Sequence, residues 1–235
     1  MKIVIISDLH GNLEALSALP EEYDELWVLG DLVNYGPDPA EVVEFVRARA
    51  SVMVRGNHDH AIGFGEDPRC SPPFREMAEV MMQYTNSVLS DSQKQFLRDL
   101  PLTAERDLEG VRVSLCHAAP SDPLFVYCLP GSDRWIREIE LVNSNILLVG
   151  HTHLPFIRQI GTKKIVNPGS LGQPKTGRPS ACYAVWDEGR IELRSFEYPF
   201  EETIRKIDAL PIAAGIKSSL ADVLRHGGLP RAEGD

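Results

Sequence analysis

Seven side chains able to bind metal sit where short apolar runs stop: Asp8, His10, Asp31, Asn57, His117, His151 and His153. Imidazole nitrogen suits Zn, Cu, Fe and Ni, while carboxylate and carbonyl oxygens suit harder ions such as Mn and Mg. The mixed set points to borderline divalent or trivalent metals, with Mn, Fe, Zn and Ni all admissible. Seven ligands are too many for one tetrahedral ion. They suit two adjacent ions sharing a carboxylate, and ions about 3.5–4 Å apart clamp a phosphate and generate hydroxide near neutral pH. Of the seven histidines, six fall inside these motifs and only His226 lies elsewhere. Core histidines would scatter.

The elements that must carry these groups alternate between strands and helices. Residues 2–7 are β-branched and suit a strand buried on both faces, delivering Asp8-Leu9-His10. On an extended backbone, residues two apart share a face, so Asp8 and His10 are expected to grip one ion together. Asn12 is expected to cap a helix over 13–19. A strand over 25–29 leads to Gly30-Asp31, and Asp38 is placed to cap an amphipathic helix over 39–50. The next apolar run, 51–54, reaches Arg55-Gly56-Asn57-His58-Asp59-His60, where glycine allows a sharp turn into a loop. Open α/β sheets hold their ligands at such carboxyl ends of strands.

Residues 61–100 break the rhythm with a Gly/Pro loop and helical patterns over 74–88 and 91–100, a small helical insertion. Its stripe of Met77, Met81, Met82 and Tyr84 reads as a packed helix face, the alternative being a lid over the site. A hairpin over 102–116 turns at Glu109-Gly110 and ends at His117. A helix over 133–142 precedes the apolar 146–149 and Gly150-His151-Thr152-His153. Four antiparallel strands are expected at 156–160, 164–166, 181–186 and 190–198. No internal repeat or linker divides the chain, so a single α/β domain over 1–235 is expected, frayed from about Pro230.

Composition sets the outer limits. With 43% hydrophobic and 25% charged residues, the chain is an ordinary globular sequence. A net charge of −10 argues against non-specific nucleic-acid binding, which depends on Lys and Arg neutralising phosphates. A small phosphoester or nucleotide is still admissible, because bound ions supply local positive charge. No apolar stretch approaches a membrane span or a signal-peptide core. The four cysteines lie far apart and read as reduced thiols of a cytoplasmic protein. A homo-oligomer is admissible.

The order Asp8-x-His10, Gly30-Asp31, Gly56-Asn57-His58-Asp59, His117 and Gly150-His151-x-His153 resembles the calcineurin-like metallophosphoesterase superfamily, from Asp8 to about Ser170. The resemblance implies a four-layer α/β/β/α sandwich. It also implies Asp8, His10 and His153 on one ion, Asn57, His117 and His151 on the other, and Asp31 bridging them. A hydroxide between the ions would attack phosphorus while His58, not itself a ligand, protonates the leaving alkoxide; Asp59 would orient His58. Gly30-Asp31-Leu32-Val33-Asn34-Tyr35-Gly36 is similar to the Gly-Asp-x-Val-Asp-Arg-Gly of phosphoprotein phosphatases and diadenosine tetraphosphatases, with Asn34 and Tyr35 in place of Asp and Arg. Arg55 matches the phosphate-binding arginine of those families. Substrate phosphate is therefore expected at Arg55 and Asn34, with Arg178 replacing the lost arginine. These departures move the chain toward the small bacterial and archaeal phosphoesterases acting on diesters or monoesters. A nucleotide or dinucleotide polyphosphate hydrolase is the alternative. A non-catalytic interaction scaffold is disfavoured by the intact ligand set.

Overall fold

The computed structural model describes residues 1–229, and the expected frayed tail lies outside the described residues. Ten strands are arranged in two five-stranded sheets. The first contains β1 (Ile3–Ile6), β2 (Glu25–Val28), β3 (Ala50–Met53), β9 (Ser180–Asp187) and β10 (Arg190–Glu197). Its order is β10-β9-β1-β2-β3, with β1, β2 and β3 parallel. The second contains β4 (Thr103–Leu108), β5 (Val111–Cys116), β6 (Ile146–Leu148), β7 (Phe156–Ile160) and β8 (Lys163–Asn167). Here the order is β4-β5-β6-β8-β7, with β5, β6 and β8 parallel and antiparallel hairpins closing both edges.

Side chains alternate across a strand, and that alternation builds the layers. Ile3 and Ile5 point inward with Trp27, Leu29 and Val52 to meet Val113, Leu115, Ile146 and Leu148 of the second sheet. Val4 and Ile6 point outward with Leu26 and Val28, against helices α1 (Leu13–Ser17), α2 (Pro39–Arg49) and α5 (Asp91–Asp99). On the far side, Leu147 and Ile165 pack on Trp135 of α6 (Arg134–Glu138) and on Ile139. The result is the α/β/β/α sandwich.

Several local readings are corrected. Residues 57–64 form a helix, α3 (Asn57–Phe64), where a loop is expected. The helix expected over 133–142 breaks into α6 and a 3-10 turn at Ile139–Leu141. Asn12 caps α1 by accepting the Ala15 N–H. Asp38, however, makes no cap bond; its carboxylate accepts from Lys206 Nζ at 2.8 Å. Lys206 belongs to α7 (Phe200–Ala209), which with α8 (Ala214–His226) fills a region that sequence reasoning leaves unassigned. Both pack on α4 (Pro72–Val88), so Met77 and Met81 are buried against Ile204, Ile207 and Leu220. The methionine stripe is a packed face. The four cysteines are unpaired, and among the described residues no helix is long and apolar enough to cross a membrane.

Candidate metal centre

Each candidate ligand follows the carboxyl end of a parallel strand. Asp8 and His10 follow β1, Asp31 follows β2, Asn57 follows β3, His117 follows β5, and His151 and His153 follow β6. All lie deeply buried except His151, which is partly exposed. The expectation that Asp8 and His10 share a face on extended backbone is corrected: both are left-handed, with φ of 54° and 47°. Asp31, Asn34, Tyr35, His151 and His153 share that conformation. Such backbone costs non-glycine residues of order 1–3 kcal/mol each and gathers at functional sites. Of the other three non-glycine residues with positive φ among those described, two are the hairpin glutamates Glu109 and Glu188.

Two donor groups result. In the first, Asp8 Oδ1 lies 3.2 Å from His153 Nε2, and His153 Nε2 lies 3.2 Å from His10 Nε2. In the second, His117 Nε2 lies 3.2 Å from Asp31 Oδ2. Asn57 Oδ1 there sits 3.1 Å from His117 Nε2 and 3.0 Å from His151 Nδ1. Asp31 Oδ2 is also 3.8 Å from His10 Nε2, so this carboxylate stands between the groups. A third overlapping set joins His58 to His10 and Asp31.

The backbone fixes which donor atoms face inward. Carbonyls of Val33, Leu29 and Gln173 accept from Nδ1 of His10, His117 and His153 at 3.1, 2.7 and 2.7 Å. That tautomer leaves the Nε2 lone pairs of His10 and His153 facing each other and turns His117 Nε2 toward Asp31 Oδ2. Asn57 donates its Nδ2 to Pro68 O, which turns its Oδ1 inward. Asp8 Oδ1 is buried without a hydrogen-bond partner. Facing lone pairs and an orphaned carboxylate oxygen repel unless a cation sits among them. The donor set fits metal ions. Without them, burial pushes His10 well down, His153 down and His151 to about 3. Burial acts the same way on His117, yet Asp31 and Asp8 beside it raise it to about 9.

Just before the candidate ligand Asn57, which opens helix α3, Gly56 approaches Asp31 closely. Gly56 keeps an ordinary φ of −88°, so a sharp turn is not its purpose; a Cβ there would lie 2.1 Å from Asp31 Oδ1. The His58 N–H donates to that same oxygen at 2.9 Å.

The structure redistributes the other expected roles. Asp59, expected to orient His58, instead accepts the N–H groups of Asp31, Leu32 and Gly56 at 2.8, 2.8 and 3.0 Å. The side chain that orients His58 is Asn34, whose Nδ2 donates to His58 Nδ1 at 2.8 Å. Its Oδ1 is committed to the Tyr35 N–H, so a neutral His58 carries its proton on Nε2. Burial lowers His58 to about 4. Arg55, expected at phosphate, donates to Arg98 O and stacks 4.9 Å from the Phe64 centroid. Arg178 is exposed.

A cavity of about 260 Å³ opens over Asp31, Asn57, His58, His151 and His153. Tyr35, Arg69, Cys70, Ser71, Phe74, Phe125, Tyr127, Gln173 and Lys175 complete its wall, and neither Arg55 nor Arg178 lines it. All of these wall residues lie in the loops around 34–38, 61–75, 118–130 and 170–180, where sequence reasoning expects the pocket walls, although it assigns none of these side chains a role.

Comparison with known proteins agrees with this geometry. A family model described as the calcineurin-like phosphoesterase superfamily domain matches residues 1–189. An uncharacterised protein of Methanocaldococcus jannaschii is 31% identical over 228 residues, covering 87% of this chain and 91% of the relative. Phosphodiesterase YfcE of Escherichia coli is 29% identical, covering 82% and 91%. The crystal structure of a metallophosphoesterase from Sphaerobacter thermophilus superposes with a TM-score of 0.80 at 29% identity, covering 94% of this chain and 99% of that one.

Proposed function

Because the chain belongs to the calcineurin-like phosphoesterase superfamily, we propose that it is a two-metal phosphoesterase hydrolysing phosphodiester or phosphomonoester bonds. One observation carries this reading: two donor groups, Asp8/His10/His153 and Asp31/His117/His151, stand side by side with Asp31 between them. The first group would hold one ion and the second, with Asn57, the other. Divalent ions of the Mn, Fe, Zn or Ni kind, when bound, neutralise phosphate charge and lower the pKa of water.

The remaining work falls to this chain's own side chains. His58 lines the cavity and serves as the general acid, with Nε2 handing a proton to the leaving oxygen, a role worth typically about 10²–10⁴-fold. The imidazolium form also carries a proton on Nδ1, so the Asn34 amide must then present Oδ1 to it. Asp59 acts at one remove, tying the backbone of the bridging carboxylate to the start of α3. The name of the Escherichia coli relative favours diesters.

The test is hydrolysis of bis(4-nitrophenyl) phosphate and 4-nitrophenyl phosphate by stripped protein refilled with Mn²⁺, Fe²⁺, Zn²⁺ or Ni²⁺. Metal-dependent turnover is expected, with the diester preferred. No turnover of either ester under any metal would overturn the reading.

A further inference from the structure

Cys70 is the cysteine of the cavity wall and is half-buried there, while Cys116, Cys128 and Cys182 are buried elsewhere in the fold. Its Sγ lies 3.5 Å from His58 Nε2 and accepts the Tyr35 hydroxyl at 3.2 Å. Asn34 holds the opposite ring nitrogen at 2.8 Å, so both nitrogens of the His58 imidazole are engaged. The Tyr35 ring packs 5.0 Å from the His58 centroid. Asn34 and Tyr35 are the two residues that depart from the Gly-Asp-x-Val-Asp-Arg-Gly pattern, and both take left-handed backbone, at φ of 75° and 61°. Such strain persists where the surrounding structure over-determines it, and it gathers at functional sites. Here the two strained residues converge on one imidazole, Asn34 directly and Tyr35 through Cys70.

The chemistry of a thiol decides what Cys70 can do. Burial pushes it up to about 11, with the Tyr35 hydrogen bond acting against burial, so at neutral pH it is S–H. Thiolate, not thiol, is the nucleophile, which leaves a covalent role without support. A neutral thiol is both a weak acceptor and a weak donor. While His58 carries a proton on Nε2, the Cys70 sulfur accepts a hydrogen bond from it. That bond is weak and yields to the leaving oxygen, a stronger acceptor. Once the proton has passed to that oxygen, Nε2 is bare and the Cys70 S–H donates to it. An ionised carboxylate only accepts and an ammonium only donates, so neither would serve both states.

We propose that Cys70, anchored by Tyr35, is a positioning residue for the general acid, holding His58 Nε2 at the cavity face before and after proton transfer. The proposal rests on the acid role given to His58 and adds to it a residue outside the motifs.

Rates on diphenyl phosphate and bis(4-nitrophenyl) phosphate test it, with metal content measured on every variant. The two diesters differ only in their nitro groups, and phenoxide gains far more from protonation than 4-nitrophenolate. Cys70→Ala should lower the ratio of kcat on diphenyl phosphate to kcat on the nitrophenyl ester by about 3–10-fold, the span of one hydrogen bond. Cys70→Ser, which also accepts and donates, should restore most of the ratio, and Tyr35→Phe should lower it by a smaller factor. An unchanged ratio in Cys70→Ala, or equally lowered ratios in Cys70→Ala and Cys70→Ser, would overturn the positioning role. His58→Ala separates that failure from failure of the acid itself. A lowered ratio in His58→Ala beside an unchanged one in Cys70→Ala overturns Cys70 alone, whereas an unchanged ratio in His58→Ala overturns both. If neither diester is turned over, heteronuclear NMR of zinc-loaded, histidine-labelled protein reads the ring directly. The His58 Nε2 proton should exchange with water at least about tenfold faster in Cys70→Ala than in wild type or Cys70→Ser; equal exchange in all three overturns the proposal.

Discussion

Asp59→Ala is the sharpest probe of how the centre is held. The Asp59 carboxylate is fully buried and accepts three backbone N–H groups, from Asp31, Leu32 and Gly56. Two of these belong to Asp31, whose carboxylate stands between the two donor groups, and its neighbour Leu32, and the third starts helix α3. Alanine leaves all three donors unsatisfied at about 1–3 kcal/mol each. Water entering the vacated space recovers part of this, so a net loss of about 3–5 kcal/mol is expected, the range for breaking a buried polar pair. For a chain of this size, 1 kcal/mol moves Tm by about 2–4 °C, giving a fall of roughly 6–20 °C. Asp59→Asn keeps one acceptor oxygen and should fall by about half as much. The assay is thermal unfolding by circular dichroism, with elemental analysis of bound metal. Metal content should drop with Tm, and activity should follow metal content. An Asp59→Ala protein with wild-type Tm and full metal but a lost rate would refute this reasoning and return Asp59 to direct action on His58.

Other substitutions and titrations test separate parts of the site. His58→Ala should slow esters with poor leaving groups by about 10²–10⁴-fold and spare 4-nitrophenyl esters, whose leaving group needs no proton; equal losses on both would exclude the acid role. His117, raised to about 9 in the metal-free chain by Asp31 and Asp8 against the effect of burial, holds a proton at pH 7 that an incoming ion must displace. Loading should therefore release a proton, and metal affinity should climb by about tenfold per pH unit below that pKa. Calorimetry in buffers of differing ionisation enthalpy counts the proton, and a count of zero would contradict the assignment. In Gly172→Ala the new Cβ would sit 1.8 Å from Leu9 O, pushing the loop that carries Gln173 away from the strand-end turn at Asp8. Lower Tm and weaker metal retention are expected, whereas an unchanged melt would show that the loop yields freely.

The candidate ligands, which the structure gathers into adjoining donor groups, stood out in the sequence because polar residues at the end of a buried strand have little purpose there except chemistry. Asp8, Asp31, His117 and His151 each follow an apolar run that must lie in a sheet core. The layering was legible for a similar reason, since β1 and β6 are apolar on both faces. What stayed hidden depends on tertiary neighbours. Arg55 carries the right charge in the right motif, yet Arg98 O and the Phe64 ring capture its guanidinium. Lys175 and Arg69 sit in Gly/Pro-rich stretches where nothing local fixes the direction of a long side chain. The left-handed backbone of the candidate ligands had only a faint signal, the tolerance of Asp, Asn and His for that region. Asp59 reads as a catalytic carboxylate by type, and only the three N–H groups around it reveal an anchor. Helices α7 and α8 escaped notice because their exposed faces dilute the apolar spacing that buries Ile204, Ile207, Leu220 and Leu224.

The most direct test of the two-metal centre is a titration of stripped protein with Mn²⁺, following bound metal and bis(4-nitrophenyl) phosphate hydrolysis at each step. Turnover should stay negligible until a second ion enters, and Asp31→Asn should lose both the second ion and the rate. Full activity at one ion per chain, or Asp31→Asn with two ions and an unchanged rate, would contradict the account.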